Sequence, residues 1–388
     1  MHVRRLNLVD FRNYENADLV LADGVNVLVG SNGQGKTNLV EALGYLSTLG
    51  SHRVSSDLAL VRRGATSAIV RALLGNGDRE FLVELQINAA SANKAQVGRS
   101  PAKVRDLPRY FSSVLFAPED MALVRGDPSG RRRFADELLV LRTPRLAGVL
   151  SDYDRALRQR NTLLKTARAT GAKALSTLDL WDERLIDFGS QIIAARLSLV
   201  DDLRPHVAAA YEGIVGADHR PRLASQLSIL SQRPDADEEG TERTDETLPI
   251  EQIRTHFAES LAAARPKELE RGLTLVGPHR DDIVFELNGL PARGYASHGE
   301  SWSFALSLKL ASAELLRAEA SAGDPVLILD DVFAELDAPR RRRLAAAIQD
   351  YEQVLITSAV AEDVPEILHG SMVRIQAGRI LEQAGTDG

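Results

Sequence analysis

Residues 30–37 read Gly30-Ser31-Asn32-Gly33-Gln34-Gly35-Lys36-Thr37 and match the phosphate-loop pattern G-x-x-x-x-G-K-[ST]. A short β-branched run at 25–29 precedes this loop, and apolar residues follow it at helical spacing: Leu39, Val40, Leu43 and Leu46. A glycine-rich turn between a strand and a helix points its N–H groups at bound phosphate, and the start of the helix adds a favourable dipole. The loop therefore predicts a nucleoside triphosphate site formed by residues 30–37.

Two side chains of this loop have specific predicted roles. Lys36 would bridge the β- and γ-phosphates of ATP as a catalytic group, and the Thr37 hydroxyl would coordinate Mg²⁺. The alternative interpretation is a glycine-rich turn that matches the pattern by chance, and the flanking strand and helix argue against it.

Two carboxylates are suited to complete such a site. Four apolar residues at 326–329 form a predicted buried strand, and Asp330 and Asp331 follow it directly. Asp330 is the predicted Mg²⁺ ligand, and Asp331 is the predicted catalytic group that polarises the attacking water. Taken alone, the pair could also be a solvated acidic turn. Roughly 290 residues separate it from the phosphate loop, which argues against a small GTPase or a nucleoside kinase.

Composition restricts the class of protein. The 388 residues include 47 Lys and Arg against 54 Asp and Glu, a formal net charge of −7, so a nucleic-acid site would have to be a local basic patch. Cysteine is absent, which excludes disulfides, thiol nucleophiles and thiolate metal sites. The first residues have no apolar core of a signal peptide, and no apolar run is long enough to span a bilayer. We expect a cytoplasmic protein that does not associate with membranes.

The chain changes character twice along its length. Strand and turn patterns dominate at both ends, whereas helical periodicity dominates between about 127 and 271, with 11 Lys and Arg against 4 Asp and Glu from 129 to 173. Residues 231–248 are polar and acidic, which predicts a mobile loop. We therefore predict an α/β head built from residues 1–127 and 272–388, interrupted by a mainly helical lobe at 128–271.

Several motifs resemble one family, the RecF family of SMC-like, ABC-type ATPase heads. They are LNLVDFRNY at 6–14, FAPED at 116–120 with RRRF at 131–134, GPHRDD at 277–282 and DDVFAELD at 330–337. The resemblance covers nearly the whole chain. It implies an ABC-type P-loop head that binds ATP and Mg²⁺, forms an ATP-dependent homodimer and is a weak DNA-dependent ATPase.

The resemblance also implies further site residues. Ser297-His298-Gly299-Glu300-Ser301 stands where such heads carry their signature motif, with Ser297 and Gly299 as the matching nucleotide contacts. Glu119 stands at the Q-loop position, and Asp337 belongs to the D-loop. The chain departs from the commoner signature, which has glutamines at positions 298, 300 and 301. It also lacks the switch histidine of transporter ATPases, since Thr357-Ser358 follows the strand predicted at 354–356.

The implied function is ATP-gated binding to DNA, duplex and at single-strand gaps, in recombinational repair together with RecO and RecR. Because no sequence-reading motif is visible, we expect contacts to phosphates. The candidates are arginines in two groups: Arg53, Arg62 and Arg63, and Arg131, Arg132 and Arg133. An energy-coupling transporter subunit and a small-molecule kinase are the alternatives. The departures in the signature and the missing histidine disfavour the first, and the ELD sequence at 335–337 disfavours the second.

Overall fold

The computed structural model describes residues 1–77, 79–170, 177–231, 243–320 and 323–381. Most of the segment predicted as an acidic mobile loop, residues 232–242, therefore lies outside the described residues. The strands are β1 (His2–Phe11), β2 (Tyr14–Val20), β3 (Gly24–Val29), β4 (Ser67–Asn76), β5 (Arg79–Asn88), β6 (Lys94–Val97), β7 (Ser100–Ala102), β8 (Ser113–Phe116), β9 (Arg222–Gln226), β10 (Arg243–Thr244), β11 (Asp282–Leu287), β12 (Leu290–Pro291), β13 (Val326–Asp330), β14 (Gln353–Ser358), β15 (Ser371–Gln376) and β16 (Arg379–Ile380). The helices are α1 (Lys36–Thr48), α2 (Met121–Arg125), α3 (Pro128–Arg142), α4 (Leu146–Thr170), α5 (Leu178–Val215), α6 (Ile250–Arg271), α7 (Ala292–Tyr295), α8 (His298–Glu319) and α9 (Ala338–Ile348).

The chain divides into two compact units. The first contains residues 1–121, 209–218 and 302–388, so it takes in both ends of the chain. The second contains residues 122–208 and 219–301. Residues 272–301, which we assigned to the head from the sequence, thus belong to the second unit, because β11 pairs with β9 there.

A mainly parallel sheet forms the centre of the first unit. Its strand order is β16-β15-β3-β14-β13-β8, and every neighbour from β15 to β8 is parallel. The strand before the phosphate loop, β3, and the strand that ends in Asp330, β13, are both paired with β14. Since parallel strands end at the same edge of a sheet, residues 30–37, Asp330 and Thr357 come together although they are far apart in sequence.

The two ends of the chain are joined through buried polar contacts. An antiparallel sheet, β2-β1-β4-β5-β6-β7, contains the first residues of the chain. The side chain of Gln353, at the start of β14, accepts a hydrogen bond from Val3 N at 2.7 Å and donates to Val3 O at 2.9 Å and Ala22 O at 3.0 Å. Gln353 is fully buried, so losing its partners would leave unpaired polar groups in the core at a cost of about 1–3 kcal/mol.

Helix α1 begins where the phosphate loop ends, for local reasons. Gly35 has φ of 108°, a left-handed conformation that a residue with a side chain adopts only with strain. A Cβ at Gly35 would also approach Tyr14 Oη to 2.7 Å. Leu39, Val40, Leu43 and Leu46 are all buried in one core with the sheets, as their spacing predicts.

The second unit is mainly helical but contains a sheet that the sequence analysis missed. Strands β9 and β10 lie in the region where we expected almost none, and they form the sheet β10-β9-β11-β12. Its helices enclose a buried ionic cluster in which Arg160 bonds Asp182 at 2.7 Å and Glu268 at 2.6 Å. Such a cluster is strongly destabilised when one member is removed, because the remaining charge is left buried.

Among the described residues, no helix is both long enough and apolar enough to cross a membrane.

Candidate functional site

The phosphate loop follows directly from β3 and is fixed at both ends. Gly30 N donates to Ser358 O at 3.2 Å, and a Cβ at Gly30 would overlap the carbonyl oxygen of Ile375. Gln34 O accepts a hydrogen bond from Gly378 N at 3.1 Å. Ser31, Asn32 and Gly33 between these anchors are exposed. The loop is therefore held by its neighbours while its central part stays open to a ligand.

Lys36 is the buried cation of this loop. Its side chain is 6 % exposed, and Nζ donates to Gly30 O and to Ser31 O, the latter at 3.1 Å. Burial lowers the pKa of Lys36, and the charges of Asp331 and Asp330 partly oppose that shift. An ammonium group that is short of solvent and faces carboxylates is well placed to receive a phosphate group.

Thr37 and Asp330 meet across 293 residues of sequence. Thr37 Oγ1 donates to Asp330 Oδ1 at 3.1 Å, and Thr357 Oγ1 on the intervening strand β14 donates to the same oxygen at 2.5 Å. Burial raises the pKa of Asp330, the two hydroxyls lower it, and the charges of Glu119 and Asp331 raise it again. The hydroxyl and carboxylate predicted to hold the metal therefore lie side by side.

Asp331 occupies a strained position beside this pair. Its φ is 55°, in the left-handed region that is uncommon for residues other than glycine. Asp331 N donates to Thr357 Oγ1 at 3.0 Å and to Thr357 O at 3.3 Å. Its Oδ1 is buried and has no hydrogen-bond partner among the described residues. A backbone held in strain, together with an unpaired carboxylate oxygen, is typical of a catalytic group awaiting its substrate.

Two other predicted residues of the head lie in different settings. Glu119 follows β8, is exposed, and is near enough to Asp330 to raise the pKa of that carboxyl by its charge. Asp337 begins helix α9, and its Oδ1 accepts a hydrogen bond from Arg340 N at 2.9 Å. Asp337 therefore has at least the structural role of a helix cap.

The donor set fits a triphosphate with Mg²⁺. Lys36 is partly deprived of solvent, burial disfavours the negative charge of Asp330, and Asp331 Oδ1 is buried without a hydrogen-bond partner among the described residues. An anion beside Lys36 and a cation beside Asp330 would relieve both penalties. Hydroxyl and carboxylate oxygens are also the protein ligands that Mg²⁺ prefers in phosphate sites.

The signature segment lies in the second unit and has a cap of its own. Ser297 N donates to Glu300 Oε2 at 2.8 Å, and Glu300 N donates to Ser297 Oγ at 3.3 Å. These reciprocal bonds form a capping box at the start of α8, which explains a glutamate at this position. Ser297 and His298 are exposed, and Gly299 is half-buried. Arg125, which the sequence analysis did not select, donates to Ala296 O at 3.3 Å and to Ser301 Oγ at 3.0 Å.

The arginines predicted to contact DNA differ in exposure, and the prediction for Arg131 is corrected. Arg131 is 3 % exposed, pairs with Asp282 at 2.7 Å and donates to the carbonyl oxygens of Leu123 and Gly126, so its guanidinium is a buried structural group. Arg132 is half-buried and donates to Asp281 O at 2.7 Å. Arg131 and Arg132 therefore serve mainly the packing of α3 rather than a surface.

The other four arginines of this set are more accessible. Arg133 pairs with Glu137 at 2.8 Å, and Arg62 pairs with Asp10 at 2.6 Å. Arg53 donates to Asn38 Oδ1 at 2.9 Å. Arg63 is exposed and has no hydrogen bond or ion pair within the described part of the chain.

Sequence reasoning missed Thr357 as a site residue. We noted it only as the position without a histidine, whereas its hydroxyl contacts both Asp330 and the backbone of Asp331. The available signal was a hydroxyl residue at the carboxyl end of a predicted buried strand. What the sequence did not show is that β14 lies between β3 and β13.

Comparison with known proteins places this geometry in context. Residues 2–379 match the model of the RecF/RecN/SMC N-terminal domain family. The chain is 65 % identical to the DNA replication and repair protein RecF of Clavibacter sepedonicus, over 98 % of this chain and 95 % of the relative. It is 60 % identical to the protein of the same name from Leifsonia xyli subsp. xyli, over 98 % of this chain and 100 % of the relative.

Solved structures agree with the sequence relatives. The fold is similar to that of the recombination mediator protein RecF with ATP in the RecFOR pathway, with a TM-score of 0.87 and 28 % identity over 99 % of this chain and 98 % of that one. A Pyrococcus furiosus Smc head domain is similar in fold, with a TM-score of 0.53 and 13 % identity over 98 % of this chain and 96 % of that one. These likenesses confirm the fold class predicted from the sequence, an α/β ABC-type ATPase head with a mainly helical insertion.

Proposed function

The chain belongs to the RecF family of SMC-like ATPase heads, and on that premise we propose that it is an ATP-dependent DNA-binding protein of DNA replication and recombinational repair. The observation that carries the proposal is the meeting of Thr37, Asp330 and Thr357 next to the phosphate loop. This arrangement provides the metal-binding half of a triphosphate site, and relatives that match the chain over nearly its whole length are named for DNA replication and repair.

The first step of the proposed mechanism is binding of ATP. Lys36 Nζ exchanges its bonds to Gly30 O and Ser31 O for the β- and γ-phosphate oxygens, while the loop N–H groups surround the same oxygens. Thr37 and Asp330 would hold Mg²⁺, which would neutralise phosphate charge when bound.

Hydrolysis in this mechanism uses Asp331. A water oxygen bonds to the γ-phosphorus, the bond from that phosphorus to the β–γ bridging oxygen breaks, and the water proton passes to Asp331 Oδ1. ADP leaves with the electron pair of the broken bond, and phosphate is the second product. The position of Asp331 depends on Thr357, whose hydroxyl and carbonyl oxygens both accept from Asp331 N–H.

We also propose that two chains complete two sites. The phosphate loop and Asp330 account for one side of the triphosphate, and Ser297 and Gly299 at the start of α8 offer a helix N-terminus to the γ-phosphate of a partner chain. A two-fold dimer completes both sites at once, so the affinities for ATP and for the second chain are linked reciprocally. Slow hydrolysis then times release from DNA. Action with RecO and RecR is part of the same proposal.

The test is a DNA-binding titration with and without ATP and Mg²⁺ on duplex, single-stranded and gapped DNA. The proposal expects binding that requires ATP, is independent of sequence, and is strongest on DNA with duplex and gap character. Equal binding without nucleotide, or no binding to any of the three DNAs, would contradict it. Lys36→Ala serves as the control for ATP dependence.

A further inference from the structure

A short segment of the first unit carries an unusual concentration of positive charge. Between residues 94 and 109 the sequence has five cations and one acid, Asp106, in a protein whose net charge is −7. All five cations are exposed: Lys94, Arg99, Lys103, Arg105 and Arg109. The segment therefore presents a net positive charge to solvent.

The backbone explains why these cations share the outer side of the segment. Strands β6 and β7 form a hairpin at the edge of the antiparallel sheet, and a 3-10 helix, Val104–Arg109, follows. The apolar residues of the segment face the core that contains α1: Ala95 and Leu107 are buried, and Val97, Ala102 and Val104 pack against the same core. In β6, Lys94 alternates with buried Ala95. Arg99 lies in the hairpin turn, and Arg105 and Arg109 lie in the 3-10 helix, where they are exposed while Leu107 is buried.

Few of these charges have a partner in the chain. Arg109 lies 3.8 Å from Asp106, whereas Lys94, Arg99, Lys103 and Arg105 form no hydrogen bond or ion pair with the described residues. The hairpin register sets Ala95 opposite Ala102, which brings Lys94 and Lys103 to neighbouring positions. Like charges in such positions destabilise a hairpin, and a bound polyanion would remove that penalty.

An aromatic pair adjoins the charged segment. Tyr110 directly follows the 3-10 helix, is 37 % exposed, and packs edge to face against Phe81 of β5 with ring centroids 6.2 Å apart. Gly98 N, in the hairpin turn, donates to Leu82 O at 2.9 Å, so the turn that carries Arg99 lies beside the strand of Phe81. The surface thus combines several exposed cations with one partly exposed ring, as nucleic-acid surfaces do.

We propose that the exposed side of residues 94–110, here called the hairpin surface, binds the phosphate backbone of DNA. The proposal rests on the DNA-binding function proposed above and assigns that function to residues outside the arginine groups selected from the sequence. Five cations without base-reading geometry fit a uniform polyanion, and they predict binding that is salt-dependent and independent of base sequence. The structure favours this surface over residues 131–133, where Arg131 is buried and paired with Asp282.

The test compares two variants that lose the same charge. The hairpin variant carries Lys94→Gln, Arg99→Asn, Lys103→Gln and Arg105→Gln; asparagine suits position 99, where φ is 68°. The control variant carries Arg155→Gln, Arg158→Gln, Lys165→Gln and Arg168→Gln on the exposed side of α4. Binding of each to fluorescein-labelled duplex is measured with saturating ATP and Mg²⁺ across a range of salt concentrations, and ATP affinity is measured separately as a check on folding.

The salt dependence of the binding constant decides the outcome. Each phosphate contact contributes about −0.9 to the slope of log K against log salt. The slope for the hairpin variant is therefore expected to be less steep than that of the wild type, by up to roughly four times that amount. ATP affinity and the slope of the control variant are expected to match the wild type. An unchanged slope in the hairpin variant, or an equal decrease of the slope in both variants, would overturn the proposal that the hairpin surface binds DNA. If the wild type itself binds no DNA with ATP, the proposed function fails. If the wild type binds DNA and the hairpin variant keeps its slope, only the assignment to the hairpin surface fails.

Discussion

The phosphate loop and the signature segment are held by different kinds of contact. Bonds between residues far apart in sequence fix the loop, including Thr37 to Asp330 and Gly30 N to Ser358 O. The start of the signature is capped locally, by the reciprocal bonds of Ser297 and Glu300, and one long-range bond, from Arg125 to Ser301 Oγ, holds its other end. Lys36 is buried, whereas Ser297 and His298 are exposed.

This difference indicates that the phosphate loop and the signature segment have different functions. The fold itself positions the groups of the phosphate-loop site, because the parallel strands β3, β14 and β13 bring them together. The signature offers an open helix start whose N–H groups a neighbouring carboxylate already satisfies in part. We infer that the first region sets ATP affinity and hydrolysis, and the second sets assembly, so variants of the two should separate these properties.

The largest expected effect is on hydrolysis, from Asp331→Asn. Asparagine tolerates the left-handed backbone at this position, so the fold should survive while the proton acceptor is lost. We expect kcat for ATP hydrolysis to fall by about 1,000-fold with ATP affinity nearly unchanged, in line with the usual contribution of a general base. Single-turnover hydrolysis assays would measure this. A wild-type rate in the variant would remove Asp331 from the mechanism.

Lys36→Ala should act on binding itself. The variant removes the buried cation of the loop, and loss of one member of a buried charge pair typically weakens binding by about 100-fold or more. Isothermal titration calorimetry with ATP and Mg²⁺ would report the change. Lys165→Ala, on the exposed side of α4, is the matched control and should bind ATP as the wild type does. Unchanged affinity in Lys36→Ala would show that the loop does not hold the phosphates.

Thr357 tests whether the long-range contacts position the carboxylates. Thr357→Val keeps the shape of the side chain but removes the hydroxyl that bonds Asp330 and Asp331 N. We expect kcat to fall by about tenfold, roughly the value of one to two net hydrogen bonds, and the Mg²⁺ requirement to rise. Thr357→Ser should restore both. If valine and serine variants hydrolyse ATP equally well, Thr357 has no positioning role.

The smallest expected effect comes from the signature, through Glu300→Gln. Glutamine keeps the capping box at the start of α8 but removes a negative charge from the proposed γ-phosphate site. Dimer affinity with ATP should rise by about threefold, the size of a typical charge effect at a helix end, with no change in ATP binding by the monomer. Analytical ultracentrifugation would detect the shift. Weaker dimerisation of this variant would mean that Glu300 contributes to the interface.

The sequence predicted those parts of the site whose chemistry is local. The loop from Gly30 to Thr37 and the pair Asp330 and Asp331 carry their roles in short patterns with a strand beside each. Thr357 could not be assigned in the same way, because its role depends on the order of β3, β14 and β13 in the sheet. Strand order is a property of tertiary packing that no local window contains.

Charged surfaces are likewise difficult to predict from the sequence alone. RRRF at 131–134 stands out in the sequence, yet Arg131 is neutralised by Asp282, which lies 151 residues further along the chain. The cations of the hairpin surface are spread over 94–109 with apolar residues between them, so no run of charge marks them. Only the burial of the apolar residues between them, such as Ala95 and Leu107, makes the cations the exposed part of this segment.

We propose that ATP joins two chains through the signature segment. Light scattering of the protein with and without ATP and Mg²⁺ tests this directly. The wild type should be monomeric without nucleotide and dimeric with it. Ser297→Arg should still bind ATP as a monomer but should neither dimerise nor hydrolyse ATP, because a bulky side chain blocks the exposed start of α8. A wild type that stays monomeric at saturating ATP, or a Ser297→Arg variant that still forms dimers, would contradict the account.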